Sequence, residues 1–379
     1  MTDSKGAFIF GAFCAYMTLI YCIISSVIVL SVLDIRLTQF NAVLILVFAA
    51  SLSVLLLTRT KGLVSGNESS PIPMTTNQRL RTALAVAAVM LVVGWVFLVV
   101  IAVRLPDFTC DGNFYHIPAI QAYVNAGKVH WIAGLPANLD GYMNGYPKGA
   151  EVLSFYIVTL LQSDSSVNLA NVLFLPMGVL GIATVCGLLG IDFLVSFCIG
   201  LLWVTIPVNI FQSATAYVDS AFASAVVGAV AAFFSHLVLV DTNRKKTYSV
   251  VLLGISLGLA LGVKGTGAVV CATVLLAFTI VAVARRVRRR DAGILVESIG
   301  VVAVVLVTSL PSGLFWYCRN YAHTGSPVYP AGLTLLGRII FPGPPVSVAV
   351  GLEGQVPEVL RELNPVWRVV RTWLQIAGG

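Results

Sequence analysis

Long apolar stretches dominate the chain, and short polar ones punctuate it. Apolar runs occupy about residues 7–33, 41–58, 82–103, 149–162, 167–190, 192–212, 214–240, 248–263, 266–284 and 294–315. Most approach the roughly 20 residues that an α-helix needs to cross a bilayer, and a chain in hydrocarbon must satisfy its backbone polar groups internally. Runs of this length predict helices and exclude a barrel of short alternating strands. The expected fold class is all-α, a polytopic transmembrane bundle of about 9–10 helices. The first run, in "MTDSKGAFIFGAFCAYMTLIYCIISSVIVLSVL", is too long for a cleaved signal peptide and lacks an evident small-residue cleavage site, so it is expected to stay as a helix.

Charge orients these helices. Positive residues collect in the linkers 59–81 (Arg59, Lys61, Arg79, Arg81), 241–247 (Arg244, Lys245, Lys246) and 285–290 (Arg285, Arg286, Arg288, Arg289, Arg290), which the positive-inside rule places in the cytoplasm. By parity, segment 104–148 lies outside, with the hinge "VKGTGA" around Lys264 and the stretch "YCRNYAHTGSPVYP", residues 317–330. Between 149 and 240 the chain must cross an odd number of times, yet the pattern offers four runs. The run 192–212, interrupted by Pro207 and Asn209, is the one expected not to span, as a short helix pair or re-entrant segment. That choice brings "SATAYVDSA", with Tyr217 and Asp219, to the outer face. The chain then divides into 1–81 (two helices and a basic loop), 82–330 (a core carrying the outer loop 104–148) and a C-terminal segment, 331–379.

Composition supports this reading. Of 379 residues, 58% are hydrophobic and 10% charged, and the mean hydropathy of +0.94 excludes a soluble globular domain. The net charge of +7 does not point to nucleic acid, because the basic residues sit in loops that set topology. The seven cysteines form no CxxC pair. Cys110 and Cys318 alone fall outside, where a disulfide is permitted and nothing in the sequence requires one. His116, His130 and His323 lack ligand spacing such as HExxH, so no metal is expected. No GxxxxGK[ST] or strand-linked GxGxxG implies a nucleotide cofactor, and none is expected.

The polar islands hold the candidate chemistry. Within 104–148, Phe114, Ile117, Ile120, Tyr123 and Val124 recur at helical intervals, while Asn113, His116, Gln121 and Asn125 take other faces. This predicts an amphipathic helix in the membrane interface. Asp111 precedes it, either as an N-cap or as a general base beside Tyr115, His116 and Trp131. Asp107, after "RLP", suits a structural or solvated role, and Asp140 suits a turn. Lys264 is the single charge between Lys246 and Arg285; it either snorkels or binds phosphate, with Gly262, Gly265 and Gly267 allowing close backbone approach. Arg319 is likewise a phosphate ligand or a headgroup anchor. Asp219 either starts a helix or faces the same cavity.

In order, "CDGNFYHIP", "WIAGLPANLDGYMNGYPKGAEVL", "AYVDSAF", "GLALGVKGTG" and "WYCRNYAHTGSPVYP" resemble the GT-C superfamily of integral membrane glycosyltransferases, over about residues 100–330. Bacterial members of the protein mannosyltransferase-like kind are the most similar branch. The resemblance implies inverting transfer of a sugar from a polyprenyl-phosphate donor to an acceptor on the non-cytoplasmic face of the cell membrane. It casts Asp111 as base, Tyr115, His116, Tyr146 and Asp219 as lining the substrate site, and Lys264 and Arg319 as ligands of the donor phosphate. Two features depart from the family: helices precede its usual first one, and "VWRVVRTWLQIAGG" reads as the middle of a segment, as in a truncated or short form. A non-catalytic homologue or assembly subunit is the alternative, and it would tolerate loss of Asp111. A lipid or solute transporter is a further one; it would place ionisable groups at the midplane and show internal repeats, whereas the isolated charges fall at predicted helix ends.

Overall fold

A computed structural model describes residues 3–60, 78–238, 243–289, 294–343 and 367. The helices follow the apolar runs: α1 (Asp3–Val32), α2 (Gln39–Thr60), α3 (Gln78–Arg104), α4 (Ile117–Ala126), α5 (Ala137–Asp140), α6 (Gly149–Leu161), α7 (Leu169–Leu188), α8 (Phe193–Leu201), α9 (Pro207–Gln212), α10 (Asp219–Val238), α11 (Asn243–Val263), α12 (Gly267–Arg289), α13 (Ile294–Ser309) and α14 (Phe315–Thr324). One antiparallel hairpin, β1 (Leu333–Leu335) and β2 (Arg338–Phe341), follows. Among the described residues six helices are long and apolar enough to cross a membrane, α13 and α14 counting as one through the π-turn Leu310–Leu314. The all-α polytopic architecture is thus as expected. Lys61, Arg290 and the C-terminal segment past Gly343, Trp367 apart, lie outside the described residues.

α1 lies in the middle of the bundle, not at its edge. Phe13, Met17, Ile20, Ile24, Val27 and Ile28 are buried along its length, and it packs on α2, α6, α7 and α11. Where helices break, side chains replace the lost backbone bonds, as hydrocarbon requires. Pro176 inside α7 has no N–H to offer the carbonyl of Val172. Trp95 of α3 donates its indole N–H to that oxygen at 3.1 Å, and Tyr16 of α1 donates to the neighbouring Leu173 carbonyl at 2.5 Å.

The run 192–212 crosses the bundle after all, and α6 is the run that does not. Asp192 pairs with Arg81, at the start of α3, at 3.5 Å. At its other end the amide of Asn171, near the start of α7, donates to the carbonyls of Gln212 (3.1 Å), Thr215 (3.0 Å) and Tyr217. The break before Pro207 is tolerated because Asn209, buried, donates to the Trp203 carbonyl at 2.8 Å and accepts from Ser220 at 2.9 Å. α6 has 13 residues and so rises about 20 Å, short of the roughly 30 Å of hydrocarbon. It starts with Gly149 against Gly262, at the end of α11, and finishes with Gln39, at the start of α2, donating to Leu160 at 3.1 Å. Both contacts lie at one end of the bundle. Three crossings, by α7, α8–α9 and α10, still satisfy the odd parity.

That end is tied to α11 by close helix packing. Gly254, Gly258 and Gly262 recur every fourth residue and meet Val305 and Thr308, then Ser309 and Ser312, then the Ser312 carbonyl. A Cβ at Gly258 would lie 2.7 Å from Ser312 Oγ and 2.9 Å from the Ser309 Cα, so only hydrogen fits there. Gly258→Leu is expected to destabilise the bundle by about 1–3 kcal/mol or more through overpacking, read as a lower unfolding temperature in detergent.

Candidate active site

The loop after α3 is anchored by Asp107, not by Asp111. Asp107 Oδ1 accepts from the Thr109 backbone N–H at 2.7 Å and from its hydroxyl at 2.5 Å, while Oδ2 accepts from the Ala216 N–H before α10. This is the structural role expected of it. Asp111 stands at the N-cap of the π-turn Gly112–His116 with helical backbone angles and no capping hydrogen bond, so the capping reading is wrong. Among the described residues its carboxylate meets one side-chain donor, the Tyr115 hydroxyl, at 3.5 Å. A π-turn advances fewer degrees per residue than an α-helix, which rotates the face that the helical period predicts. Tyr115, His116, Ala119, Ile120 and Tyr123 are buried, whereas Phe114 is exposed. The segment is amphipathic, as expected, with Ile120 and Tyr123 inward and Asn113, Gln121 and Asn125 outward; His116 and Phe114 alone exchange the faces predicted for them.

His116 turns inward because a buried carboxylate waits there. Its Nδ1 lies 2.7 Å from Glu151 Oε1, in the first turn of α6, and the same oxygen accepts from Lys148 Nζ at 3.1 Å. All three side chains are at most 3% exposed. Burial alone would raise the Glu151 carboxyl, but the Lys148 charge and the hydrogen bond with His116 outweigh it and hold the group down, at about 2. Burial lowers Lys148, against the opposing pull of Glu151. Its ammonium also sits 4.8 Å from the centroid of the Tyr115 ring. Neither Lys148 nor Glu151 stood out in the sequence, although "YPKGAE" places them three apart at a helix start, the spacing at which side chains meet.

These groups border a cavity of about 570 Å³. Asp111, Tyr115, His116, Tyr146, Asp219 and Lys264 all line it, so six of the seven residues singled out in sequence converge. Lys148, Glu151 and Tyr217 join them; the cavity continues between Val218, Val263, Ala268, Trp316, Tyr317 and Val328, an apolar wall. Lys264 is paired with Asp219, whose other oxygen accepts from Gln212 at 3.1 Å. Both members of the pair are partly exposed, at 39% and 45%. Burial, then the charges of Asp111 and Glu151, push the Tyr115 phenol up, and burial does the same to Tyr146. Both remain hydrogen-bond donors near neutral pH.

Arg319 does not line the cavity. Its guanidinium lies 4.7 Å from the centroid of the Trp316 ring and 5.4 Å from that of Trp131, and it donates to the Asn144 carbonyl. The next residue, Asn320, donates to Gly145 at 2.7 Å and to Tyr329 at 3.3 Å. Asp140 accepts from Asn144 at 2.7 Å and from the Tyr329 hydroxyl at 2.5 Å, the turn-stabilising role expected of it. Of the three glycines around Lys264, Gly262 and Gly267 are spent on packing against Ser312 and Ala260. Only Gly265 faces open space on the cavity. Cys110 and Cys318 are exposed free thiols. Among the described residues no group of three or more His, Cys, Asp or Glu could hold a metal ion.

A polytopic helical bundle with an ionisable cavity at one end, open beside an apolar wall, is the class that fold and site define. Residues 142–324, just under half of the chain, match the family model for dolichyl-phosphate-mannose-protein mannosyltransferase, a GT-C family domain. The matched stretch contains Tyr146, Lys148, Glu151, Asp219, Lys264 and Arg319 and begins after Asp111, Tyr115 and His116. No curated protein and no solved structure matches the chain.

The pairing of Glu151 sets an acid limit. Its carboxyl titrates at about 2 in the fold against 4.5 unperturbed, so its contribution is complete above pH 4.5 and is lost as pH falls towards 2. The unfolding temperature of the purified protein is expected to drop across that window, and to drop less in Glu151→Gln.

Proposed function

We propose that the protein transfers a sugar from a polyprenyl-phosphate donor to an acceptor hydroxyl, with inversion, at the non-cytoplasmic face of the cell membrane. The observation that carries this reading is the meeting of Asp111, the Asp219–Lys264 pair and an apolar wall around one cavity, most of it inside the matched domain. A lipid-linked donor needs both halves of such a cavity: apolar surface for the lipid, and charge at headgroup depth for the phosphate and the reaction. Lys264 is the cation placed for the phosphate, since it is partly exposed and Gly265 beside it leaves room. Arg319 shapes the wall from behind through Trp316.

Asp111 is the base in this scheme because the competing carboxylates are engaged. Asp107 holds Thr109 and Ala216, Asp219 holds Lys264 and Gln212, and Glu151 is buried. Asp111 takes the proton of the acceptor hydroxyl as its oxygen bonds to the anomeric carbon, and the carbon–oxygen bond to phosphate breaks with the electron pair leaving on the polyprenyl phosphate. Positive charge in the linkers 59–81, 241–247 and 285–290 supports placing the opposite end, with the cavity, outside.

Asp111→Asn is expected to slow transfer from polyprenyl-phosphate sugars in membranes by about 10²–10⁴-fold. Transfer at the native rate would exclude Asp111 as base, and native membranes that consume no donor would favour a non-catalytic subunit. Cys110 and Cys318 provide a check on sidedness, since both thiols are exposed at the cavity end. A membrane-impermeant maleimide added to intact cells should label them; labelling from the cytoplasmic side alone would invert the topology.

A further inference from the structure

The cluster beneath the cavity does more than anchor α6. Glu151 Oε1 receives Lys148 Nζ and faces His116 Nδ1, a position in which the ring nitrogen must carry hydrogen if a carboxylate is to accept from it. The opposite nitrogen, Nε2, is buried and has no hydrogen-bond partner, on a residue that lines the cavity. Glu151 Oε2 is likewise unpartnered. Buried polar atoms in folded proteins are almost always paired, and each exception calls for an explanation such as a catalytic role or a bound group. The charged and titratable groups around His116 come from three elements: Tyr115 in its own turn, Lys148 and Glu151 at the start of α6, and Tyr217 and Asp219 before and at the start of α10. None of them donates to Nε2.

We infer that His116 is a hydroxyl-binding residue of the cavity and that Glu151 is its positioning residue, holding the imidazole as the Nδ1–H tautomer so that Nε2 offers a lone pair to a hydroxyl of the bound sugar. The identity of the ligand rests on the function proposed above. Lys148 completes the arrangement by keeping Glu151 ionised, so that the carboxylate accepts from both neighbours. A site that accepts from a substrate hydroxyl discriminates against analogues lacking it, because the buried acceptor is then left unpaired.

The test reads the tautomer and the chemistry separately, on the full-length protein in lipid nanodiscs. Nitrogen-15 NMR of the four histidines, with His116 assigned from His116→Gln, is expected to show Nδ1 protonated and Nε2 bare at neutral pH. Glu151→Gln should change that pattern. A doubly protonated or Nε2–H ring in the native protein overturns the inference whether or not sugar is transferred. In transfer assays, His116→Asn, whose amide reaches only the Nδ1 position, should raise the KM for donor by roughly tenfold or more. His116→Gln, whose amide reaches the Nε2 position, should restore much of it. Equal loss in both variants, in protein with native unfolding temperature, also overturns the inference. The native protein showing the Nδ1–H tautomer while transferring no sugar would refute the proposed function and leave the Glu151–His116 positioning supported.

Discussion

Backbone that leaves a helix inside an apolar bundle must find its hydrogen bonds among side chains, and here asparagines supply most of them. Asn171 holds three carbonyls between α9 and α10, Asn168 holds Ala214 and Leu105, and Asn209 closes the break before Pro207. Asn144 pairs with both the N–H and the carbonyl of Ile132 at 2.9 Å, much as a neighbouring strand would. Asn320 joins Gly145 to Tyr329. The segments that Asn168 and Asn171 hold before α10, and those that Asn320 joins at Gly145 and Tyr329, carry cavity-lining residues on or beside them. The amides set where Tyr217, Asp219, Tyr146 and Tyr329 stand; the site depends on them before any charge is considered.

Charge is then distributed by access to water. The fully buried cations and anions are paired at short range, as Lys148 and Glu151 show, because removing either partner would leave an uncompensated charge in a low-dielectric setting. Lys264 and Asp219, closer to solvent, form a pair that a competing anion can enter at lower cost. Asp111 makes the fewest contacts of the cavity carboxylates and keeps its lone pairs available. A gradient from locked to available charge thus runs from the floor of the cavity towards Asp111.

The central position of α1 bears on how the chain is divided. Residues 1–81 lie outside the stretch that resembles the family and outside the matched 142–324. Yet α1 supplies buried side chains to the common core and the Tyr16 hydroxyl to the broken α7. The first helix therefore belongs to the same packing unit as the matched domain, whatever its relation to the family pattern.

The amino-acid sequence by itself determined the all-α membrane architecture and the convergence of the polar islands, because helix length and loop charge are local quantities read one segment at a time. Six of seven candidate residues reached the cavity for that reason. It did not reveal that α6 stays at one end, since Pro207 and Asn209 mark 192–212 as the interrupted run and only packing shows that the broken backbone finds partners there. Lys148, Glu151 and the inward turn of His116 were hidden because their meaning lies in a contact 35 positions apart in the chain. Arg319 and Gly262 pointed at a phosphate when read locally, and the fold spends them instead on aromatic rings and helix packing. Tertiary structure alone decided which charges are locked and which are free, because burial and pairing are properties of neighbours in space.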